Sequence, residues 1–356
     1  MAEKILVINP GATSTKIAVY DGEKMSYSEV VRHHDDQLSS FSSILDQLEY
    51  RRDLILEALG RIALSPGDLD ATVGRGGAFK PLVSGAYKVN KAMVSDVVSG
   101  NVAAEHASNL GCLLAFEIAK PHGIPAFIVD PVSVDEFDDV ARLSGLPELE
   151  RRSLSHALNL KAVAHRAAEE LGKPYGKINL ITAHLGTGFS ISAHRRGRMI
   201  DVNNANDGGP FSPQRAGGLP TTGLIKLCFS GKYAAAELKC RVVGQGGLMA
   251  YLGTDDMREI DDRVEAGDGK AKGVLDAMAY QVAKECGAMA AALGGKPDAV
   301  VVTGGVAKSK PFMKLLLPRV KWLGEVLVYP GEDEMGALAR GALRVLRGEE
   351  KAKVYR

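Results

Sequence analysis

The strongest constraint on the fold is a pattern that occurs twice. Residues Lys4 to Asn9, Thr15 to Tyr20 and Met25 to Arg32 read as three short strands, joined by Gly11-Ala12-Thr13-Ser14 and by the turn Asp21-Gly22. The same pattern returns at Ile178 to Leu185, Gly188 to His194 and Arg198 to Val202, joined by Gly186-Thr187 and by Arg196-Gly197. Gly11 and Gly186 lie 175 residues apart, and so do Gly22 and Gly197. Equal offsets at two turns predict an internal duplication. Each copy is followed by helices alternating with apolar runs, among them Ala126 to Asp130, Ala299 to Thr303 and Val326 to Tyr329. Such alternation predicts mixed α/β sheets flanked by helices.

A chain of 356 residues has room for two such domains, each with its own core. Ser144-Gly145-Leu146-Pro147, followed by the charges of Glu148 to Arg152, marks the expected boundary, giving domains 1–148 and 152–330. Leu275, Met278, Ala279, Val282, Ala283, Cys286, Met289, Ala290 and Leu293 follow the spacing of one buried helix face. A last helix is expected over Met335 to Leu346. The pattern leaves its half open, with residues 335–356 packing back on the first domain as the preferred arrangement.

Composition narrows the partners. With 44 Lys and Arg against 43 Asp and Glu, the net charge of +1 argues against an extended nucleic-acid groove. Any anionic ligand is therefore small and locally held. No apolar run reaches the roughly 18 residues of a spanning helix, and the first apolar run is only Ile5 to Ile8, too short for a secretory signal. Cys112, Cys228, Cys240 and Cys286 have no C-x-x-C spacing, so reduced structural thiols in a cytoplasmic protein, away from membranes, are expected.

Three glycine-bearing elements carry the chemistry. Asn9-Pro10-Gly11-Ala12-Thr13-Ser14-Thr15-Lys16 sets small hydroxyl residues and a lysine in a hairpin, which can offer N–H groups, hydroxyls and an ammonium to phosphate oxygens. A Walker loop is absent. His184-Leu185-Gly186-Thr187-Gly188 repeats the glycine and hydroxyl, with His184 where Asn9 stands. Val302-Thr303-Gly304-Gly305 follows an apolar strand, and its glycines allow close approach of a flat ligand such as adenine and its ribose. Taken singly, each is as well explained as an ordinary turn.

Together they resemble the ATPase superfamily of sugar kinases, chaperone ATPases, actin and acetate kinase, and within it the butyrate kinases of the acetate kinase family. The carrying stretches run in family order: Val7 to Lys16, Gly74-Arg75-Gly76-Gly77, Glu105-His106-Ala107-Ser108-Asn109, Arg152 with His156, His184 to Gly188, Phe211-Ser212-Pro213-Gln214-Arg215, and Pro330 to Met335. The resemblance implies a two-domain actin-like α/β fold with a cleft between the halves, ATP/ADP and Mg²⁺ as cofactors, a small carboxylic acid as substrate, and a homo-oligomer, a dimer or higher. The first hairpin reads Pro-Gly-Ala-Thr where acetate kinase has Ala-Gly-Ser-Ser, and the chain is shorter, both of which favour the butyrate branch.

A sugar hydroxyl must lose a proton to attack ATP, whereas a carboxylate, with an ordinary pKa of about 4 to 5, is already ionised. Bringing two anions together requires fixed cations instead. Arg75 among its glycines and Arg215 after Pro213 are the candidates to hold carboxylate and phosphoryl charge, although a surface salt bridge is the ordinary role of either alone. His184 is expected to donate to the transferring phosphoryl oxygens. Asn9, Thr13, Ser14, Lys16, Gly186, Thr187 and Gly188 are expected at nucleotide phosphates, with Gly304 and Gly305 near the nucleoside.

Asp130 ends an apolar strand, where a functional carboxylate is often delivered, and a turn-forming Asp before Pro131 is the alternative. The resemblance implies that it helps place Mg²⁺ or the nucleophile. Glu332, Asp333 and Glu334 suit a helix start as caps. By resemblance one glutamate reaches the metal through water, with Glu334 preferred and Glu332 open. His106 and His156, with Gly76 and Gly77, match substrate-pocket positions, and structural histidines are the alternative. Asp256-Met257-Arg258 resembles an adenosine-contacting segment, with Met257 in place of an aromatic residue. A kinase of a related short or branched-chain acid, isobutyrate, propionate or acetate, is the nearest alternative, and a sugar kinase and an actin-like assembly ATPase are the more distant rival readings.

Overall fold

The computed structural model describes residues 2–103 and 106–356, and Glu105 of the second motif lies outside the described residues. Two compact units form, Met1–Val134 with Asp333–Arg356, and Asp135–Glu332. β1 (Lys4–Pro10), β2 (Ser14–Asp21), β3 (Lys24–Arg32), β4 (Ala71–Arg75), β5 (Ala86–Lys88) and β6 (Ala126–Val129) belong to the first unit. β7 (Asn179–Leu185), β8 (Phe189–Arg195), β9 (Arg198–Val202), β10 (Ala299–Gly304) and β11 (Glu325–Pro330) belong to the second, and β12 (Lys353–Val354) returns to the first. The strand orders are β12-β5-β6-β4-β1-β2-β3 and β11-β10-β7-β8-β9.

The duplication is visible in the pairing. β1, β2 and β3 form an antiparallel meander with β4 parallel to β1, and β7, β8 and β9 do the same with β10 parallel to β7. Even the irregularity recurs, as a register slip between Val19 and Tyr20 and another between Ala193 and His194. The second hairpin is tighter by one residue, because Pro10 pairs with Thr15 while Leu185 pairs with Phe189.

Interior strands are apolar along their length, as in the Val300, Val301 and Val302 run of β10, because both faces of each sheet are covered. In the first unit the helices Leu48–Arg61 and Leu110–Ala119 pack Ile55, Leu59 and Leu113 with Leu6 and Ile8. Helix Glu334–Leu346 packs on β1, β4 and β6. In the second unit Gly269–Ala292 presents the expected stripe, Leu275, Met278, Val282, Cys286 and Met289, to one sheet face, and Ala157–Glu170 covers Leu180 and Val301 on the other. Each such aliphatic side chain contributes about 1.5–3 kcal/mol by leaving water.

The expected boundary at 144–152 falls inside the second unit. The change of unit comes at Val134 and Asp135, because the stretch from Asp135 onward is tied to the second sheet. Buried Lys161 donates to Glu136 Oε2 at 2.5 Å and to the Gly197 carbonyl at 3.0 Å, and Asp138 N–H bonds the Ile200 carbonyl at 3.1 Å. At the other end, Tyr355 is buried in the first unit and its hydroxyl donates to Asp96 at 2.8 Å. Among the described residues no helix is long and apolar enough to cross a membrane.

Candidate active site

The first unit gathers polar groups at the C-terminal ends of its parallel strands. Ile8 pairs with Gly74, and Arg75 pairs with Val129, so Asn9 near the end of β1, Arg75 at the end of β4 and Asp130 just past the end of β6 come from three adjacent strands. Glu334 joins them as the first residue of the helix packed on those strands. Arg75 Nη1 lies 2.5 Å from Glu334 Oε1, and Asn9 Nδ2 donates to Glu334 Oε2 at 2.8 Å. Arg75 is therefore held as an ion pair, and an incoming carboxylate would compete with Glu334 for its fork.

The glycines beside Arg75 answer to packing. A side chain at Gly74 would run into the Gly111 carbonyl, one at Gly76 would meet Pro131 Cβ at 2.5 Å, and one at Gly77 would meet Asn109 Cα at 2.8 Å. Asp130 takes a positive φ of 39°, and its Oδ1 accepts from Ser84 Oγ at 2.7 Å and Gly85 N–H at 2.8 Å. Its carboxylate thus ties the Ser84-Gly85 loop to the end of the strand. His106 caps a short turn, with Nδ1 accepting the Ser108 N–H at 3.1 Å. Burial and, secondarily, the Arg75 charge lower its pKa. Lys16 stands exposed opposite Asn9 in the hairpin, while Thr13 is exposed and Ser14 half-buried in the loop.

In the second unit His184 is the penultimate residue of β7 and is buried. Its Nδ1 lies 2.9 Å from Asn159 Oδ1, its ring stacks on His156 with centroids 4.0 Å apart, and Nε2 is 3.3 Å from Glu332 Oε1. His156 Nδ1 is in turn 2.9 Å from Ser190 Oγ. The two candidate glutamates thus have different partners, Glu332 beside His184 and Glu334 beside Arg75. Gly186 is required by His184, whose Nε2 would sit 2.8 Å from a Cβ there.

Arg215 belongs to a loop latched to the second hairpin. Ser212 Oγ donates to the Thr187 carbonyl at 2.5 Å, the Gln214 N–H reaches the same oxygen at 3.3 Å, and the Arg215 N–H returns to Ser212 Oγ at 3.1 Å. The Arg215 stem lies against Gly188, 3.5 Å from where a Cβ would be. Its Nε is buried with no hydrogen-bond partner among the described residues, and burial lowers its pKa. A partly desolvated cation lacking a carboxylate is what an anion-binding position requires.

Gly304 has φ 96°, and a side chain there would collide with the Leu185 backbone, so this glycine joins β10 to the second hairpin, while Gly305 is open and exposed. Asp256 caps helix Met257–Glu265 and pairs with exposed Arg258 at 2.7 Å. Met257 is partly buried against the core of its own unit, so part of its thioether surface is already used. Sequence reasoning passed over Asn159 and assigned nothing to Ser212. Their only signal is a buried polar residue in an apolar helix or beside a glycine loop.

Among the described residues no group of three or more His, Cys, Asp or Glu could cage a metal. Asp130 and Glu334 offer hard oxygens in one unit, a donor set suited to magnesium, which needs few protein carboxylates when phosphates and water complete its shell.

Residues 148–330 match the model of the acetokinase family. A protein of Clostridium botulinum (strain Alaska E43, type E3) named probable butyrate kinase is 51% identical over 356 residues, the full length of both chains. The crystal structure of Porphyromonas gingivalis acetate kinase superposes with a TM-score of 0.77 at 21% identity, covering 97% of this chain and 100% of that one. A propionate kinase from Francisella tularensis gives 0.72 at 20% identity, covering 95% and 98%. The chain belongs to the acetokinase family.

Proposed function

We propose that the chain transfers the terminal phosphoryl group of ATP to butanoate, forming ADP and butanoyl phosphate. The observation that carries this reading is the 51% identity, end to end, to a protein named probable butyrate kinase. In the step a carboxylate oxygen attacks the γ-phosphorus, the bond to the β-bridging oxygen breaks, and its electron pair leaves on ADP. No proton has to move, so a general base is not needed, and the reverse step makes ATP.

Arg215 receives the substrate carboxylate or the phosphoryl oxygens, since an arriving anion compensates what burial takes from its charge. Arg75 shares that work once the acid displaces Glu334 from its fork. His184, held at Nδ1 by the Asn159 side chain, donates from Nε2 to the phosphoryl oxygens. Asn9, Thr13, Ser14 and Lys16, with Gly186, Thr187 and Gly188, bind nucleotide phosphates. Gly304, Gly305, Asp256, Met257 and Arg258 serve the nucleoside, and His106, His156, Gly76 and Gly77 border the acid. Magnesium, when bound, neutralises phosphate charge, and Asp130 and Glu334 would hold it. The protein is expected to act in the cytoplasm as a homo-oligomer.

Hydroxylamine trapping of acyl phosphate across acetate, propionate, butanoate, isobutyrate and hexanoate tests the proposal. One methylene changes kcat/KM about 10–200-fold in an apolar pocket, so butanoate should stand above acetate. Failure to trap any acyl phosphate, or phosphorylation of glucose instead, overturns it.

A further inference from the structure

Arg51 is a cation in an apolar place. It sits on helix Leu48–Arg61 in step with Ile55, Ala58 and Leu59, and only 1% of it is exposed. Its Nη1 donates to the Gly11 carbonyl at 2.9 Å and Thr15 Oγ1 at 3.0 Å, and its Nη2 to the Ala12 carbonyl at 3.0 Å. Gln47 Oε1 accepts from Nε at 3.1 Å and from Nη2 at 2.8 Å. Every partner is neutral, and no described carboxylate acts on it.

The remaining loop carbonyls are also turned inward. Thr13 O accepts the His33 N–H at 2.9 Å, and Ser14 O accepts the Gly11 N–H at 2.7 Å. Ala12 and Thr13 are exposed, and their N–H groups have no acceptor among the described residues. His33 is buried beside this network, its Nε2 2.9 Å from Thr15 Oγ1. Burial and then the Arg51 charge push its pKa down to about 4, so it adds no second cation at neutral pH. A peptide turn with carbonyls inward and N–H groups outward is a nest for an anion.

We propose that Arg51 is the positioning residue of the first hairpin: its buried fork fixes the loop carbonyls inward, so that the Ala12 and Thr13 N–H groups face nucleotide phosphate oxygens, and its charge, neutralised by no carboxylate, draws them in. The inference rests on the phosphate-binding role proposed above for this hairpin. It gives the loop a source of positive potential that does not touch the ligand.

The test uses the full chain, with Mg·ADP and inorganic phosphate as separate probes, read by calorimetry and by ligand-induced shift in melting temperature. Charge-assisted hydrogen bonds of this kind correspond to about ten- to hundred-fold in affinity. R51K, which keeps the charge but cannot hold both the Gly11 and Ala12 carbonyls as a fork does, should weaken Mg·ADP about ten-fold. R51M should weaken it about a hundred-fold, and KM for ATP should rise in step while KM for the acid moves less than about two-fold. R51M that folds and binds Mg·ADP like the wild type overturns the proposal. If R51M does not fold, R51K decides, and affinity within about two-fold of wild type overturns it. A wild type that binds Mg·ADP but activates no acid defeats the butanoate reading and leaves this test intact, whereas one that binds neither probe defeats both.

Discussion

At the tip of β1 the hairpin loop is backed by the buried cation Arg51, whereas at the tip of β7 its counterpart is backed by neutral donors, Ser212 Oγ–H and the Gln214 N–H, both ending on Thr187 O. The neighbouring strands diverge in the same sense, since β4 ends in Arg75 while β10 ends in Gly304, pressed against the Leu185 backbone. Two copies with the same pairing and the same register slip have thus been given different strand ends. The first concentrates charge under and beside its loop. The second keeps a ring and bare backbone, with Arg215 reaching in from a latched loop. A duplicated frame fixes where groups stand, and single residues decide what those places can do.

If the second copy works on the reacting group and the first on binding, substitutions should separate kcat from KM. His184→Ala should lower kcat about 10²–10³-fold with nucleotide affinity little changed, and Arg215→Ala should behave alike. Equal kcat for variant and wild type in a steady-state assay would erase the distinction. Gly304→Ala, facing both a positive φ and the Leu185 backbone, should cost about 3 kcal/mol in denaturant unfolding, while Gly305→Ala, with open space, should cost under about 1.

Acid should find the first hairpin through His33. Its folded pKa of about 4 lies below the ordinary 6.5, so the unfolded chain takes up the proton first as pH falls. Its contribution is complete above pH 6.5, is lost between 6.5 and 4, and amounts to about 3 kcal/mol. His33→Gln should flatten that part of a stability-against-pH curve, although His194, also lowered by burial, leaves a residual slope from the second copy. An unchanged slope would place the acid sensitivity elsewhere. The smallest effect concerns the paired glutamates. Glu334→Gln should raise the half-saturating Mg²⁺ concentration about ten-fold while Glu332→Gln leaves it nearly unchanged, and the reverse result in a metal titration would exchange their roles.

Local pattern was enough for much of this fold. The equal spacing of Gly11, Gly22, Gly186 and Gly197 revealed the repeat, and the stripe from Leu275 to Leu293 marked the long helix, because periodicity and turn chemistry act over a few residues. The supports of the site were less legible. Ser212 and Thr187 are 25 residues apart in sequence, and Arg51 and Gly11 are 40 apart, so neither bond leaves a local signature. Arg51 did leave a trace as a charge on an apolar stripe. Asp130 binds a loop 45 residues away in sequence, at Ser84 and Gly85, a contact that its neighbours in the chain do not announce. The run Glu332-Asp333-Glu334 gave three candidate caps, and only tertiary placement shows Asp333 capping the helix while the flanking glutamates turn to different partners.

The path of the chain sets an order of assembly. Asp135–Glu332 is one uninterrupted run, but the unit containing β1 takes its covering helix, Glu334–Leu346, and its last strand, β12, from beyond residue 332. On a ribosome making about 5–20 residues per second, the earliest strands wait on the order of tens of seconds for that cover. The portion translated first is therefore finished last. Until then Ile5 and Val7, on the sheet face opposite Leu6 and Ile8, stay open to water.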